Sequence, residues 1–309
     1  MTRLTIPSFA KINWILKILG KRRDGYHQIQ TIFQTIDLKE EVVFETTRGR
    51  SIQLEARGRS VAQGRENLLY RAADLLRNSC GKQSGVRIRL DKKIPVGAGL
   101  GGGASNAAMA LLALNQLWQC RLDRDALTTL ATQLGSDVPF FLMGGLVAAW
   151  GRGEQLIPLP DAVQEQSLIL LYPDFELGSG DAYALGRWDF LDDHDVLTMD
   201  NLDTTIQRLL RVLDPKEDSW SLLENDFEEA LFTNYPILVD ARSALENAGF
   251  KRVMLCGSGS TLLGFGSVQP VIETAEQLSR QQIGEIFTCR TLSRTQYRQI
   301  LTRSGLTHV

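Results

Sequence analysis

Residues 95–106 read Pro-Val-Gly-Ala-Gly-Leu-Gly-Gly-Gly-Ala-Ser-Asn, and five of the seven positions from Gly97 to Gly103 are glycine. Glycine accepts positive φ and has no side chain, so successive backbone N–H groups can converge on one anion. The helix pattern that follows would add the positive end of its dipole. We therefore expect a phosphate-binding loop. The alternative is a turn that needs glycine for its conformation alone.

The segments around the loop set the fold class. Val86, Ile88 and Leu90 alternate with arginines, which predicts a half-buried strand before the loop. Apolar residues at helical spacing predict a helix from Ala104 to Trp118 after it. The same patterns predict further strands at 41–45, 168–172, 253–255 and 261–265, and further helices at 68–76 (with Asn67 as N-cap), 125–134 and 237–248. This mixture without strict alternation is typical of an α+β fold.

Length and charge limit the domain organisation and the binding partners of the chain. A chain of 309 residues suits two lobes, and Gly and Pro accumulate near residues 151–160, so we predict lobes at 1–155 and 156–309. The formal net charge of −2 gives no basic field for nucleic acid. The longest apolar stretch, from Val138 to Trp150, is shorter than the ~20 residues of a spanning helix. We expect a soluble protein that binds neither nucleic acid nor membrane.

The four cysteines, Cys80, Cys120, Cys256 and Cys289, form no C-x-x-C pair and have no histidine at metal-ligand spacing. This pattern indicates neither a zinc site nor a disulfide framework. We expect small buried apolar side chains in a reducing, cytoplasmic setting.

Two familiar phosphate motifs fit the loop poorly. Gly97, Gly99 and Gly102 satisfy G-x-G-x-x-G, but the loop does not follow its strand directly, and Asp123 falls between two predicted helices rather than at a strand end. A P-loop would need Lys and Ser or Thr where Gly103 and Ala104 stand. A non-catalytic dinucleotide-binding module stays as an alternative, and another class of phosphate site is favoured.

Three separated segments together resemble the GHMP kinase superfamily. They are Ala10 to Asn13 (Ala-Lys-Ile-Asn), the Pro95 to Ser105 loop, and Cys256 to Thr261 (Cys-Gly-Ser-Gly-Ser-Thr). Three more segments resemble the branch of that superfamily that acts on a CDP-linked methylerythritol. These are Asp24-Gly25-Tyr26-His27, Gly135-Ser136-Asp137-Val138-Pro139 and Asn225-Asp226. The resemblance covers nearly the whole chain.

The resemblance implies a fold and a reaction. The fold would have an N-terminal lobe resembling ribosomal protein S5 domain 2 and a C-terminal α+β lobe, with the site between them. The reaction would be ATP-dependent phosphorylation of a hydroxyl of CDP-methylerythritol, in the non-mevalonate route to isoprenoid precursors. The alternative within the superfamily is a kinase for homoserine, mevalonate or a sugar.

The resemblance also assigns catalytic roles. Asp137 would accept the proton of the substrate hydroxyl, and Lys11 would lie near both and stabilise the developing negative charge. From the residues alone, Lys11 could equally be a solvated lysine, and Asp137 could cap the turn before Pro139.

The substrate residues are assigned in the same way. Asn13 suits substrate hydroxyls because an amide both donates and accepts, although it could be a turn asparagine. The resemblance places Tyr26 and His27 at the cytidine end, with Tyr183 stacking on cytosine from the other side. A core tyrosine and an exposed histidine are the alternatives for the first two. The segment before Tyr183, Gly178 to Asp181, departs from the family pattern.

For ATP, the resemblance gives the whole glycine loop to the phosphates: Pro95, Val96, Gly97, Ala98, Gly99, Leu100, Gly101, Gly102, Gly103, Ala104 and Ser105. Asn67 and Lys92 are candidates near the adenine, and both could be purely structural. Mg²⁺ is implied by ATP chemistry, with Ser105 as the nearest possible ligand, but no paired carboxylates mark a metal cage. We expect a monomer or a weak homodimer.

Overall fold

The computed structural model describes residues 2–161, 165–191, 223–266 and 271–307. In these ranges the strands form two separate sheets, and helices pack against each of them. The predicted α+β class is confirmed.

The larger sheet is built around a long antiparallel hairpin. Its strands are β1 (Arg3–Lys21), β2 (His27–Thr47), β3 (Ile52–Gly58), β4 (Gly85–Lys92), β5 (Leu146–Gly151) and β6 (Gln155–Pro158). β2 pairs with β1 along most of its length, and also with β4 at one end and β5 at the other. β3 runs parallel to β4, and β6 is antiparallel to β5. β1 was not predicted from the sequence. Residues 8–16 are buried on both faces of this strand, so apolar and polar residues do not alternate along it.

Four helices lie against this sheet: α1 (Leu68–Ser79), α2 (Gly102–Leu117), α3 (Arg124–Leu134) and α4 (Val138–Met143). They pack on the face of β4 that carries Val86, Ile88 and Leu90, which confirms the predicted alternation. Asn67 caps α1, since its Oδ1 accepts a hydrogen bond of 2.9 Å from the Leu69 N–H. The glycine loop joins β4 to α2, as predicted.

The strands of the smaller sheet are β7 (Ser167–Tyr172), β8 (Arg252–Leu255), β9 (Leu262–Phe265) and β10 (Glu285–Arg290). They are antiparallel and lie in the order β10-β7-β9-β8. The remaining described helices are α5 (Ser179–Leu185), α6 (Phe227–Asn234), α7 (Pro236–Asn247), α8 (Val271–Ser279) and α9 (Arg294–Arg303). The predicted strands at 168–172 and 253–255 and the helix at 237–248 are confirmed within one or two residues.

The two halves of the chain interlock. β6 begins at Gln155, crosses the predicted lobe boundary and pairs with β5 in the larger sheet. Tyr297 of α9 is fully buried in the N-terminal core, and its hydroxyl donates to the Phe141 carbonyl at 2.5 Å. The last described helix therefore supports α4, the helix that begins directly after Asp137. A division of the chain at residue 155 stays a prediction.

The cysteine prediction was wrong for one pair. Cys80 and Cys120 are joined by a disulfide, with their Cα atoms 5.6 Å apart. Cys80 ends α1 and Cys120 follows α2, so the packing of the two helices brings together positions that no local motif connects. Cys256 and Cys289 are free and buried, as predicted, and burial raises the pKa of the Cys256 thiol to about 12.

None of the helices in the described ranges is both long and apolar enough to cross a membrane.

Candidate active site

A cleft of about 1040 Å³ lies where the glycine loop, β1 and the start of α4 meet. Its wall also includes α5 and the turn at Gly257 and Ser258. All but one of the residues predicted to bind ATP or substrate, or to act in catalysis, contribute to this wall. The exception is Ser105, whose side chain is fully buried behind the loop.

Lys11 and Asp137 face each other in the cleft. The Lys11 Nζ lies 3.5 Å from Oδ2 of Asp137, although the two residues are far apart in sequence. Lys11 is only 4% exposed on β1, whereas about a third of the Asp137 side chain is accessible. Asp137 stands at the N-cap of α4 but makes no side-chain capping bond. Its carboxylate is therefore directed to the lysine and the cleft, not to its own helix.

Asn13 connects Lys11 to a buried chain of hydrogen bonds. Lys11 Nζ donates to the Asn13 Oδ1 at 2.8 Å, and Asn13 Nδ2 donates to the Thr31 hydroxyl at 2.7 Å. Thr31 in turn donates to the Ile15 carbonyl at 2.7 Å. These buried bonds use both ends of the Asn13 amide and fix the position of the lysine. Because the amide oxygen and nitrogen of Asn13 already have these partners, few of its hydrogen-bonding positions are left for a substrate.

The glycine loop approaches Lys11 through its backbone. The Lys11 N–H donates to the Leu100 carbonyl at 3.0 Å, and a Cβ on Gly101 would lie 3.0 Å from the Lys11 Cγ. Gly101 precedes α2 and offers no capping side chain, so the first N–H groups of α2 have no side-chain partner at the N-cap. The loop and this helix end can therefore donate to phosphate oxygens beside Lys11.

The second glycine turn closes the site from the C-terminal half. A Cβ on Gly257 would lie 2.9 Å from the Lys11 Nζ and 3.3 Å from the Asn13 Oδ1, so only glycine fits without moving the lysine. Asn225 Nδ2 donates to the Gly257 carbonyl at 2.8 Å and to the Leu255 carbonyl at 3.0 Å. Within the Asn225-Asp226 motif, Asn225 thus holds this turn, while the Asp226 carboxylate accepts a hydrogen bond of 2.7 Å from the Ile18 N–H on β1.

The aromatic end of the cleft contains His27, Tyr183 and Tyr26. The rings of His27 and Tyr183 stack with centroids 4.3 Å apart and planes 8° from parallel, while Tyr26 is half exposed. Burial, and then the charge of Lys21, lowers the pKa of His27. Burial, and then the charge of Asp137, raises the pKa of Tyr183. Above the ordinary histidine pKa this end therefore holds neutral aromatic groups that can stack on a base.

Three ATP candidates already have structural partners. Asn67 caps α1 with its Oδ1 and donates from Nδ2 to the Ala62 carbonyl at 2.8 Å. Lys92 is 4% exposed and pairs with Glu40 at 2.6 Å; burial lowers its pKa in spite of that carboxylate. The Ser105 hydroxyl accepts a bond of 2.8 Å from Ser8. Asn67 and Lys92 still line the cleft, whereas the structure does not bring the Ser105 side chain to it.

Comparison with known proteins agrees with this geometry. Residues 67–145 match the family model described as the GHMP kinases N terminal domain. The chain is 36% identical over 298 residues to the 4-diphosphocytidyl-2-C-methyl-D-erythritol kinase of Pelotomaculum thermopropionicum, covering 94% of this chain and 98% of that protein. It is 37% identical over 263 residues to the protein of the same name from Thermodesulfovibrio yellowstonii, covering 84% and 89%. The chain belongs to the 4-diphosphocytidyl-2-C-methyl-D-erythritol kinase family.

Two solved structures of kinases resemble the fold of this chain. A crystal structure of 4-(cytidine 5'-diphospho)-2C-methyl-D-erythritol kinase matches with a TM-score of 0.74 and 33% identity, over 93% of this chain and 99% of that one. The homoserine kinase from Cytophaga hutchinsonii matches with a TM-score of 0.66 at 18% identity, over 94% and 96%. The second match shows a shared fold only.

Sequence reasoning missed several cleft residues of this 4-diphosphocytidyl-2-C-methyl-D-erythritol kinase family member. Arg152, Trp188 and Ser179 line the cleft, and the Ser179 hydroxyl lies 2.9 Å from that of Ser258. The sequence signal for Arg152 is its place between Gly151 and Gly153, in a segment interpreted only as a lobe boundary. Trp188 and Ser179 belong to a loop-rich segment without periodicity, so the sequence carries no comparable signal for them.

Proposed function

We propose that this chain transfers the γ-phosphoryl group of ATP to the 2-hydroxyl of 4-diphosphocytidyl-2-C-methyl-D-erythritol, in the non-mevalonate route to isoprenoid precursors. The observation that carries the proposal is a single cleft that joins the Lys11–Asp137 pair to a glycine loop on one side and to stacked aromatic rings on the other. The pair supplies proton transfer and charge, the loop suits phosphates, and the rings suit a nucleobase.

In the proposed mechanism, Asp137 accepts the proton of the 2-hydroxyl as its oxygen bonds to the γ-phosphorus. The bond from the γ-phosphorus to the β–γ bridging oxygen breaks, and ADP leaves. Lys11 is 3.5 Å from the Asp137 carboxylate, so it is close enough to stabilise the negative charge on the transferring group. Backbone N–H groups at the start of α2 hold the phosphates in line with the hydroxyl.

Mg²⁺ has no dedicated protein site in the described residues. Those ranges hold no cluster of three or more His, Cys, Asp or Glu side chains suited to a metal. Of the carboxylates in the described cleft wall, Asp137 is paired with Lys11 and Glu66 stands apart before α1. We propose that Mg²⁺ enters with the phosphates of ATP, since this ion commonly keeps water and few protein ligands. No step is derived through it.

The cytoplasm is the proposed setting, because ATP is the phosphoryl donor. A monomer or weak homodimer is proposed as the working unit.

The test is a substrate panel with ADP release as the readout. We expect release only when ATP, Mg²⁺ and the CDP-linked substrate are all present, and a new phosphomonoester in the ³¹P spectrum of the product. Asp137→Asn should fold normally and lose about 10²- to 10⁴-fold in kcat, the usual contribution of a general base. A folded protein that phosphorylates homoserine, mevalonate or a sugar but not the CDP-linked alcohol would refute the proposal. Binding of NAD without binding of ATP would do so as well.

A further inference from the structure

Glu40 is a buried carboxylate that the proposed mechanism does not use. It lies on β2, and its side chain has no exposed surface. Among the residues that the structure describes, it is the only buried Asp or Glu. An ionised carboxylate is costly to bury unless hydrogen bonds replace its water. The hydrogen-bond partners of Glu40 therefore indicate what the residue does.

One carboxylate oxygen binds the segment that leads into the glycine loop. Glu40 Oε2 accepts hydrogen bonds from the Lys93 N–H and the Ile94 N–H, both at 2.9 Å. These are the last two residues before the loop. The pairing of β2 with β4 ends at Glu41 and Asp91. The Glu40 side chain thus continues the hydrogen bonding of the backbone at the point where the strand pairing stops.

The other carboxylate oxygen binds the helix that follows the loop. Glu40 Oε1 accepts hydrogen bonds from Asn106 Nδ2 at 2.8 Å and from Lys92 Nζ at 2.6 Å. Asn106 lies about one turn after the start of α2 at Gly102, and its Nδ2 also donates to the Ser8 hydroxyl at 2.8 Å. A single side chain therefore joins the residues before the loop to the helix after it.

This arrangement needs a carboxylate and not an amide. Two carboxylate oxygens offer about four acceptor positions, and the four donors occupy them. A glutamine has one acceptor oxygen and an amino group that only donates, so it cannot accept from both pairs of donors. The packing is also tight, because a Cβ on Gly102 would lie 2.8 Å from Lys92 Nζ and 2.9 Å from Ile94 Cγ2. A shift of these groups would therefore move the first residue of α2.

We infer that Glu40 is a positioning residue, which sets the place of the glycine loop and of the first turn of α2 for the phosphates of ATP. It acts through these backbone groups, since its own side chain is buried behind them. An acidic residue behind a phosphate site would repel the ligand, and the Lys92 ammonium at 2.6 Å offsets that charge. The inference rests on the part of the proposed function that places the ATP phosphates at this loop.

The first test compares the binding of ADP and of adenosine to Glu40→Gln by calorimetry with Mg²⁺ present. Adenosine lacks the phosphates, so its affinity should stay within about threefold. The ADP affinity should fall by about tenfold to a hundredfold, because displaced N–H groups no longer meet the phosphate oxygens. Glu40→Asp should recover part of the loss, since it keeps the charge and all four acceptor positions on a shorter side chain.

The second test is the kinetics of Glu40→Gln. The KM of ATP should rise by about tenfold to a hundredfold. The KM of the CDP-linked substrate should stay within about threefold, because the aromatic end of the cleft has no contact with Glu40. A role in stability alone would lower the midpoint of thermal unfolding and leave both KM values unchanged.

Glu45→Gln is the matched control. Glu45 lies on the same strand, but it is partly exposed and pairs with Arg89 at 2.7 Å. This variant should keep the affinities for ADP and adenosine within about twofold of the wild type.

An unchanged ratio of ADP to adenosine affinity in folded Glu40→Gln overturns the inference, and so does an equal loss of both affinities. If Glu40→Gln does not fold, Glu40→Asp replaces it. That variant should bind ADP about threefold to tenfold more weakly with adenosine unchanged, and a wild-type ratio in it overturns the inference. A wild-type protein that binds ADP but does not phosphorylate the CDP-linked substrate overturns the proposed function alone.

Discussion

Replacing Lys11 by methionine would remove the charge beside Asp137 and keep most of the buried side-chain stem. The stem matters because Lys11 is 4% exposed and packs between Gly101 and Gly257. Methionine fills nearly the same volume, so the fold should survive. The Asn13 Oδ1 loses its bond from the Lys11 Nζ, which should lower the free energy of unfolding by about 1–3 kcal/mol.

The effect on turnover should be larger than the effect on stability. A unit charge about 4 Å from a developing charge is worth about 4 kcal/mol at the effective dielectric of a partly accessible site. Lys11 Nζ lies 3.5 Å from the Asp137 carboxylate, so an interaction energy of this size applies to a charge that develops beside Asp137. The partial exposure of Asp137 to solvent reduces this energy. Loss of one preorganised donor in other enzymes costs about 2.7–4 kcal/mol. We therefore expect kcat to fall by about 10²- to 10³-fold.

The assay is steady-state ADP release together with thermal unfolding. Lys17→Met is the matched control, since Lys17 lies on the same strand but is partly exposed and pairs with Glu224 at 2.9 Å. It should keep kcat within about twofold. If Lys11→Met unfolds like the wild type and keeps kcat within about threefold, Lys11 does not stabilise the transferring group, and the electrostatic reasoning is wrong.

Two further predictions concern the glycine loop and the aromatic end. Gly99→Ala should lower the unfolding free energy by at least 1–2 kcal/mol, because φ is +73° and the new Cβ would overlap the Cys256 carbonyl oxygen. Gly103→Ala, in the first turn of α2 where a Cβ has room, should instead raise the unfolding free energy by up to about 1 kcal/mol. Both variants are measured by urea titration, and equal changes in unfolding free energy would contradict the geometry. His27 should titrate by NMR below 6.5, and Lys21→Ala should move its midpoint upward; an unmoved midpoint would exclude the lysine as a cause. Because folding favours neutral His27, its stabilising contribution is present above 6.5 and is lost as the pH falls towards the folded-state pKa.

Local patterns predicted the elements next to the glycine loop well. The alternation at Val86, Ile88 and Leu90 and the Asn67 cap depend on neighbours within one element, so sequence alone contains them. The long strand β1 escaped because its burial on both faces removes the alternation. The Cys80–Cys120 disulfide escaped because it depends on how two helices pack.

The candidate site was predictable only in part for a similar reason. Lys11 and Asp137 were proposed from a resemblance, and their 3.5 Å separation exists only once β1 and α4 have packed together. Ser105 looked like a loop residue because it follows the glycines, but Ser8, which holds its hydroxyl, is supplied by another strand. The Arg152 guanidinium lies 4.5 Å from the centre of the Tyr26 ring, and Tyr26 is distant in sequence. These contacts are long-range, and no local period encodes them.

The glycine loop is held by three backbone hydrogen bonds from other parts of the chain. Lys11 donates to Leu100, Leu177 donates to Gly97 at 2.9 Å, and Thr261 donates to Ala98 at 3.4 Å. During translation, a ribosome that has just finished the loop has yet to make the last two segments that fasten it. The emerging N-terminal half therefore carries the glycines without their final shape. ATP binding at full affinity would mark the moment when nearly all of the polypeptide has been made.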